Sequence, residues 1–293
     1  MKSISILLTD PDSINEILLI KSYKYLKNCK LKKIYFVGDK YLFKKIFYKY
    51  NNNNKFEFIN IDYSNNWTAY LKKTIQTSAE LFNDKIISYA INLPLNKKKF
   101  FKNKYNGFTE FFSKTLDNKK NENMLLFNEN FSVCPLTTHI EIKKVESQIN
   151  KKKLVQTIKN LNYFYKNITK KKIKIVVLGL NPHASKDLPK NNIDRNVIFK
   201  VIQSLRDTVD IEGPISADTA FNKTYNKVYI GMYHDQVLIP FKMKNKFNGS
   251  NITIGKKLIR LSPDHGTGKE LIKKPRLINN CSFLSCIKFC EKY

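Results

Sequence analysis

Three of the four histidines in this sequence of 293 residues follow short apolar runs. His139 comes after a run that begins at Phe131, and His183 and His234 follow the runs 175–178 and 228–232. If these runs are parallel strands of one sheet, the three imidazoles lie on one rim, beyond the carboxyl ends of the strands. Three imidazoles with open positions for water or substrate suit a divalent metal acting as a Lewis acid. Each histidine could also be a structural residue, so both interpretations stay open at this point.

The fourth histidine lies in the segment Asp-His-Gly-Thr-Gly-Lys at 264–269. A Gly-Thr-Gly-Lys turn ahead of a helix would offer backbone N–H groups and a positive helix end to an anion such as a cofactor phosphate. The spacing is not that of a Walker A loop, and no G-x-G-x-x-G pattern follows the first predicted strand. An ordinary Rossmann dinucleotide site is therefore not predicted.

The elements that must position these residues alternate between strands and helices. Short β-branched and aromatic runs predict strands at 3–8, 33–37, 56–61, 86–91, 124–127, 174–178 and 227–232. Apolar residues at helical spacing predict helices at 13–25, 67–82, 144–163 and 194–205. This alternation is typical of an α/β protein with a largely parallel sheet.

The chain is strongly basic, with 53 Lys and Arg residues against 24 Asp and Glu residues and a formal net charge of +29. A nucleic-acid surface and a compositional drift toward Lys and Asn are the two explanations. The Lys and Asn runs are scattered along the whole chain and lack the Cys/His spacing of a zinc finger, which favours drift. We therefore expect nonspecific binding to nucleic acid at most.

Composition excludes several classes of protein. At 42% hydrophobic residues the chain has too much core-forming material for a disordered basic tail. No apolar run approaches the roughly 18 residues that a membrane-spanning helix requires. The five cysteines include no CxxC pair, so we expect no disulfides. We also expect no membrane association and a cytoplasmic location.

Seven motifs between residues 107 and 267 together carry a family resemblance. They are Gly-Phe-Thr-Glu-Phe-Phe at 107–112, Leu-Thr-Thr-His at 136–139, Gly-Leu-Asn-Pro-His-Ala at 179–184, Gly-Pro-Ile-Ser-Ala-Asp-Thr at 213–219, Tyr-His-Asp-Gln at 233–236, Asn-Ile-Thr-Ile-Gly at 251–255 and Asp-His-Gly-Thr at 264–267. In this order they resemble the 4-hydroxythreonine-4-phosphate dehydrogenase family of pyridoxal phosphate biosynthesis.

The resemblance implies an α/β, isopropylmalate-dehydrogenase-like fold in which two α/β domains flank a central cleft. Residues 1–112 together with 240–293 would form the first domain, and residues 113–239 would form the second and contribute dimer contacts. It also implies a homodimer with shared active sites.

The resemblance assigns roles to residues motif by motif. The implied metal ligands are His139, His183 and His234, one of them contributed across the dimer interface. The implied substrate-binding residues are Thr109, Lys242, Asn251 and Arg260. Asp218 and Asp235 match acidic catalytic residues, and the implied cofactor-binding residues are Asp264, His265, Gly266 and Thr267.

The implied reaction is the NAD-linked oxidation of 4-hydroxythreonine 4-phosphate, followed by decarboxylation to 3-amino-2-oxopropyl phosphate. NAD or NADP would accept the hydride, and one divalent ion per site (Zn, Mg or Co) would lower the pKa of the substrate hydroxyl. The partner of the protein would be a small phosphorylated amino acid, an anion that a basic surface attracts.

The sequence departs from the family pattern at several positions. Phe108 replaces a histidine that contacts substrate, and Ser185-Lys186 replaces the usual Gly-Glu. The Gly-rich N-terminal loop is reduced to residues 9–15, and a Gly-Pro-x-x-Lys segment appears as Leu-Pro-Leu-Asn-Lys at 93–97. Two alternatives follow from these departures. The chain could use another phosphorylated hydroxy acid, or it could be a decayed dehydrogenase that binds polyanions.

Overall fold

The computed structural model describes residues 1–101, 105, 107–117, 121–189, 191–222 and 224–293. Its strands are β1 (Ile4–Leu7), β2 (Ile34–Gly38), β3 (Phe56–Asn60), β4 (Tyr89–Asn92), β5 (Asn123–Phe127), β6 (Ser132–Pro135), β7 (Lys174–Leu178), β8 (Ile211–Ile215), β9 (Lys227–Gly231), β10 (Ser250–Ile254) and β11 (Ile259–Pro263). Its α-helices are α1 (Asn15–Asn28), α2 (Lys44–Tyr50), α3 (Trp67–Asn83), α4 (Lys97–Phe101), α5 (Phe108–Leu116), α6 (Val145–Gln148), α7 (Lys151–Tyr163), α8 (Lys200–Leu205), α9 (Ala217–Ala220), α10 (His234–Asn245) and α11 (Cys281–Lys292). Short 3₁₀ or π-helical segments cover Ile142–Lys144, Phe164–Thr169, Pro182–Ser185, Asp194–Phe199, Lys269–Leu271 and Pro275–Leu277.

The chain divides into two compact units. The first unit comprises Met1–Glu122 and Phe247–Tyr293, and the second comprises Asn123–Lys246. None of the helices in the described ranges is both long and apolar enough to span a bilayer.

The first unit contains six strands in the order β3-β2-β1-β4-β11-β10. All neighbouring pairs are parallel except β10 and β11, which are antiparallel and place Thr253 opposite Arg260. Residues of β1 and β4 are fully or almost fully buried, as expected for strands covered on both faces. A cluster that includes Leu7, Phe100 and Phe112 forms part of the core beside them.

The second unit contains five strands in the order β5-β6-β9-β7-β8. The three strands β6, β9 and β7 are neighbours and run parallel, so their carboxyl ends share one edge. Val133, Val176 and Tyr229 on these strands are completely buried and pack against Phe241 of α10. The apolar residues of these strands therefore fix the edge from which the histidine loops leave the sheet.

The predicted α/β class is confirmed, and each of the seven predicted strands corresponds to an observed one. The single helix predicted over 144–163 is wrong. The helix stops after α6, and α7 begins anew because Asn150 acts as its N-cap and accepts a hydrogen bond from the Lys153 backbone. The predicted helix over 194–205 opens with a π-helical turn.

Candidate active site

The three histidines that follow apolar runs leave neighbouring parallel strands of the second unit. His139 follows β6, His183 follows β7, and His234 follows β9, each within five residues of the strand end. The backbone of both His139 and His183 has a positive φ, 49° and 53° respectively. These loops therefore hold conformations that residues with a Cβ rarely adopt, which is common at functional sites.

Side chains of Thr137 and Gln236 join the three histidine loops. The Thr137 hydroxyl donates to the Met232 carbonyl at 2.7 Å, which ties the His139 loop to the end of β9. Gln236 accepts from the Met232 N–H at 2.7 Å and donates to the Gly179 carbonyl at 2.8 Å. Sequence reasoning assigned no role to Thr137 or Gln236, although both stand inside motifs that carry the family resemblance.

His139 and His234 are brought together. Their ring centres are 5.6 Å apart. Two imidazoles bound to one ion at metal–nitrogen distances of about 2.0 Å place their ring centres about 5 Å apart, so this spacing fits a shared divalent ion. In the described part of the chain, no three His, Cys, Asp or Glu side chains group closely enough to hold a metal.

Two of the three histidines, His234 and His183, have a carboxylate next to Nδ1 of the imidazole. His234 Nδ1 lies 2.6 Å from Asp235 Oδ1, and His183 Nδ1 lies 2.6 Å from Asp187 Oδ2. A carboxylate that accepts from Nδ1–H leaves the lone pair on Nε2, which is the arrangement of many metal-binding histidines. The structure therefore shows an orienting contact for Asp235, for which the family resemblance implies a catalytic role.

Asp218 lies in the first turn of α9 and is exposed. The Ser216 hydroxyl donates to its Oδ1 at 2.6 Å and lowers the pKa of this carboxyl, and backbone hydrogen bonds from Asp218 and Thr219 act in the same direction. Asp218 is therefore ionised at neutral pH. Lys242, the remaining predicted site residue of the second unit, lies on an exposed part of α10.

Arg260 is the centre of a second polar cluster, in the first unit. Although arginine is charged, Arg260 is only 2% exposed. Its Nε donates to Asn92 Oδ1, and its terminal nitrogens donate to Thr253 Oγ1 (2.9 Å), Ser262 Oγ (2.7 Å) and Thr109 Oγ1 (3.3 Å). All four acceptors are neutral, so the hydrogen bonds orient the guanidinium, and the charge of Glu110 offsets its desolvation only in part.

Burial lowers the pKa of Arg260 to about 9, because desolvation disfavours its charged form. A bound anion would stabilise that charge. Asn251, on the neighbouring strand β10, has a buried Oδ1 for which the described residues provide no hydrogen-bond partner. An amide oxygen in that state is satisfied by a ligand that donates a hydrogen bond. Thr109, Arg260 and Asn251 thus suit an anion that also carries donor groups.

Phe108 lies under this cluster as part of the core. It is 7% exposed, and its ring centre is 4.9 Å from Arg260 Cζ. It packs in the same cluster as Phe112 and Leu258. The sequence identifies Phe108 as the loss of a hydrogen-bond donor, and the structure adds that its ring supports the guanidinium.

The predicted cofactor loop, residues 264–267, is held from both sides within the first unit. The Asp264 N–H donates to Ser282 Oγ at 2.7 Å, and the Thr267 carbonyl accepts from the Ile14 N–H at 3.0 Å. A Cβ at Gly266 would have no atom within 4 Å, so a ligand can approach the backbone there. His265 Nδ1 contacts the Gly266 carbonyl at 3.0 Å. These observations fit a dinucleotide lying against this loop.

The expectation of a helix after this loop is wrong. A single 3₁₀ turn, Lys269–Leu271, follows Gly268, so no α-helix end adds positive charge at this point. Gly268 has a φ of 55° and closes on Ile14. Any anion binding at the loop therefore depends on individual N–H groups and side chains.

The N-terminal loop 9–15 and the segment 93–97, which both depart from the family pattern, pack against each other. Asn15 Nδ2 donates to the Pro94 carbonyl at 2.8 Å, and the Asn96 N–H donates to Asp10 Oδ2 at 3.1 Å. Lys99 Nζ lies 3.3 Å from Asp10 Oδ1 and 2.7 Å from Asp12 Oδ2. Side-chain hydrogen bonds therefore shape this loop pair where the family pattern has glycine.

Comparison with known proteins places the chain in a family. The family model described as "Pyridoxal phosphate biosynthetic protein PdxA" matches residues 26–290. The chain belongs to the PdxA family. A 4-hydroxythreonine-4-phosphate dehydrogenase from a Sulfurihydrogenibium species is 36% identical over 211 residues, which is 70% of this chain and 64% of that protein. The match thus spans less than two thirds of the length of that relative.

Other members and structures extend the comparison. A D-threonate 4-phosphate dehydrogenase from Pectobacterium atrosepticum is 30% identical over 61% of this chain and 56% of that protein. The structure of a 4-hydroxythreonine-4-phosphate dehydrogenase from Klebsiella pneumoniae is similar with a TM-score of 0.81, 22% identity and coverage of 99% of this chain and 97% of that one. The isocitrate dehydrogenase of Methylococcus capsulatus shares the fold with a TM-score of 0.53, 10% identity, and coverage of 99% and 85%. The predicted fold group is therefore confirmed.

Proposed function

We propose that this PdxA family member is a metal-dependent, NAD-linked dehydrogenase that oxidises and decarboxylates 4-hydroxythreonine 4-phosphate. The observation that carries the proposal is the pair of imidazoles of His139 and His234, 5.6 Å apart on the rim of three parallel strands. The buried cation of Arg260 supplies the second requirement, a binding group for an anionic substrate. The proposed substrate contains both a hydroxyl group and an anionic phosphate.

His139, His234 and His183 would hold the divalent ion, with Asp235 and Asp187 at the Nδ1 atoms of two of them. When bound, such an ion lowers the pKa of a hydroxyl group that contacts it and polarises a carbonyl. Within one chain, the described imidazoles of His139, His183 and His234 do not come close enough together to hold one ion. We therefore propose that a second copy completes the site in a homodimer.

An exposed apolar pair supports the homodimer. Ile239 and Met243 are 57% and 76% exposed and lie one helical turn apart on α10, the helix that begins at His234. Side chains four residues apart share one face of a helix, so the two form an apolar strip. A second copy of this chain that covers this strip would reach the element that carries His234.

The first unit would bind the ionic groups of the substrate and the dinucleotide. Arg260 and Thr109 would bind phosphate or carboxylate oxygens, and Asn251 Oδ1 would accept a hydrogen bond from the amino group. Lys242, which belongs to the second unit and lies on the exposed face of α10, would contribute a further positive charge. Backbone groups of the loop from Asp264 to Thr267 would contact the NAD or NADP that accepts the hydride.

Asp218 would accept the proton that leaves the substrate hydroxyl. Its carboxyl group is exposed and ionised, and its pKa is lowered by Ser216. A carboxylate with a lowered pKa is a weak base, so it can take the proton only from a hydroxyl group whose own pKa has been lowered. This requirement is consistent with a metal-dependent reaction.

The test is the formation of NADH by the purified full chain, with NAD, 4-hydroxythreonine 4-phosphate and Zn, Mg or Co added one at a time. We expect NADH with at least one ion and none after addition of a chelator. The His139→Ala variant is the control for contaminating dehydrogenases. Absence of NADH with all three ions would contradict the proposal.

A second candidate substrate is D-threonate 4-phosphate, which carries a hydroxyl in place of the amino group. Phe108, which can donate no hydrogen bond, replaces a family histidine, and several relatives carry this substrate in their names. The kcat/KM values of the two compounds decide between them. A kcat/KM for 4-hydroxythreonine 4-phosphate that is lower than the kcat/KM for D-threonate 4-phosphate would favour the second candidate.

A further inference from the structure

Asp194 is completely buried, and the hydrogen bonds that it makes with described residues all come from the loop that carries His183. Its Oδ1 accepts from the Leu180 N–H at 2.6 Å. Its Oδ2 accepts from the Asn181 N–H at 3.2 Å, from Asn181 Nδ2 at 3.1 Å and from the Ser185 hydroxyl. The four donors lie on both sides of the histidine, so one carboxylate fastens the two ends of the turn.

This turn has an unusual backbone. His183, Ala184 and Ser185 have φ values of 53°, 51° and 60°. Three successive residues with a Cβ in the left-handed region are strained, and such a conformation persists only where surrounding contacts enforce it. The turn also folds tightly over β7, because a Cβ on Gly179 would lie 2.7 Å from the Ala184 Cα.

Contacts of the imidazole itself cannot enforce the turn. The partner of His183 Nδ1 is Asp187, whose side chain is 73% exposed, and exposed polar contacts of this kind contribute little to stability. Arg195, next to Asp194, donates to the carbonyls of Ser185 and Lys186 at 3.3 and 3.2 Å. The orientation of His183 therefore depends on its backbone, and the backbone depends on Asp194 and its neighbour.

We propose that Asp194 is a positioning residue that holds the His183 turn in the geometry required for metal binding. This inference rests on the proposed function, in which His183 is a metal ligand. A buried carboxylate with four donors from one loop acts here as an internal brace, and it does not touch substrate, metal or cofactor. Loss of the brace would release the strained turn and move the imidazole away from the ion.

The test is the affinity of the metal-free full chain for Co²⁺, measured by titration with the visible absorption of bound Co²⁺ as the signal and without NAD or substrate. Asp194→Asn keeps the shape but replaces one acceptor by a donor, and we expect its Co²⁺ affinity to fall by about 10–100-fold. Thr157→Val is the matched control. Thr157 is buried in the same unit, and its hydroxyl bonds to Asn123 at 2.8 Å and to the Lys153 carbonyl at 2.9 Å, neither of which belongs to the turn.

The control separates positioning from general stability. We expect Thr157→Val to lower the Tm and leave the Co²⁺ affinity unchanged. If Asp194→Asn lowers the Tm but binds Co²⁺ like the unmodified protein, the positioning role is overturned. His183→Ala separates this inference from the proposed function. If that variant binds Co²⁺ normally, the metal role of His183 fails. If it loses Co²⁺ while Asp194→Asn retains it, only the positioning role fails.

Ser185 provides a second pair of variants if Asp194→Asn does not fold. Ser185→Ala removes the hydroxyl donor and keeps a Cβ at a φ of 60°. Ser185→Gly removes the same donor but relieves the strain, since glycine adopts this φ readily. We expect a larger loss of Co²⁺ affinity for Ser185→Ala than for Ser185→Gly. Equal affinity in both variants and the unmodified protein would overturn the proposal.

Discussion

At the scale of single residues, the least expected feature is a buried arginine within strand β11. Arg260 faces four neutral acceptors and the ring of Phe108, and burial lowers its pKa. A buried cation is costly unless a partner compensates its charge. Burial of Arg260 therefore lowers the free energy of unfolding, but it provides a charged group that is already oriented when the anion binds.

The hydrogen bonds that orient this guanidinium lead to a prediction for Arg260→Lys. Lysine keeps the charge but cannot reproduce the fork of hydrogen bonds to Asn92, Thr253 and Ser262. We expect the KM for the phosphorylated substrate to rise by about 10-fold or more, with a smaller change in kcat. Steady-state kinetics measure both constants. The control is Arg276→Lys, an exposed arginine of the same unit, and an equal effect of the two substitutions would contradict the prediction.

The ring beneath the guanidinium gives a second prediction. Phe108→His would remove apolar surface from the core and place a polar ring against a cation, so we expect the free energy of unfolding to fall by about 2–4 kcal/mol. Chemical denaturation measures this quantity. Phe247→His is the control because Phe247 is 55% exposed. A loss for Phe108→His no larger than for this control would show that the packing is unimportant.

At the scale of elements, helices and loops of the first unit brace the predicted cofactor loop. Ser282, near the start of α11, accepts from the Asp264 N–H and donates to the Gly249 carbonyl at 2.6 Å. One hydroxyl thus joins the helix, the loop and the chain before β10. This bracing can be removed without changing any residue that would touch the dinucleotide.

We expect Ser282→Ala to raise the KM for NAD several-fold while the Co²⁺ affinity stays the same, because the histidine loops belong to the other unit. Initial rates at varied NAD concentration give this KM. Ser285→Ala is the matched control, since among the described residues its hydroxyl donates to the Cys281 carbonyl of the same helix. An unchanged KM for NAD in Ser282→Ala would mean that the loop needs no such brace.

Local patterns made much of the fold predictable. Apolar β-branched runs identify β7 and β9, and the histidines beyond them indicate the functional rim. Strand β8 has Gly213 and Pro214 at its centre, which are poor strand residues, and β11 has a buried arginine that breaks the apolar pattern. These two strands were therefore not predictable from local pattern.

The candidate site was predictable only in part, for a related reason. The histidines proposed to bind the metal stand out in the sequence, but the residues that align them do not. Gln236 reaches Gly179 across 57 positions, and Asp194 acts through a turn with positive φ values. Such contacts depend on tertiary structure, which the spacing of residues along the chain does not reveal.

At the scale of the whole molecule, the proposed homodimer makes a prediction about shared sites. If His139 and His183 of one metal site come from different chains, a heterodimer of His139→Ala and His183→Ala subunits contains one intact site. We expect the heterodimer, purified by two different affinity tags, to have about half the activity of the unmodified dimer. Each variant alone should be inactive. An inactive heterodimer would show that both histidines serve the same chain.

The bonds that join the histidine loops end on main-chain atoms. The acceptors are the carbonyls of Met232 and Gly179, and the Leu136 N–H likewise donates to the Gly231 carbonyl at 2.7 Å. Every amino acid supplies a carbonyl, so an acceptor of this kind survives a change of side chain. A lineage whose composition moves far toward lysine and asparagine can thus retain the rim with only a few fixed side chains. The same property makes the rim a tolerant target for random mutagenesis outside the three histidines, the tightly packed Gly179 and Gly231, and the side chains of Thr137, Gln236 and Asp194.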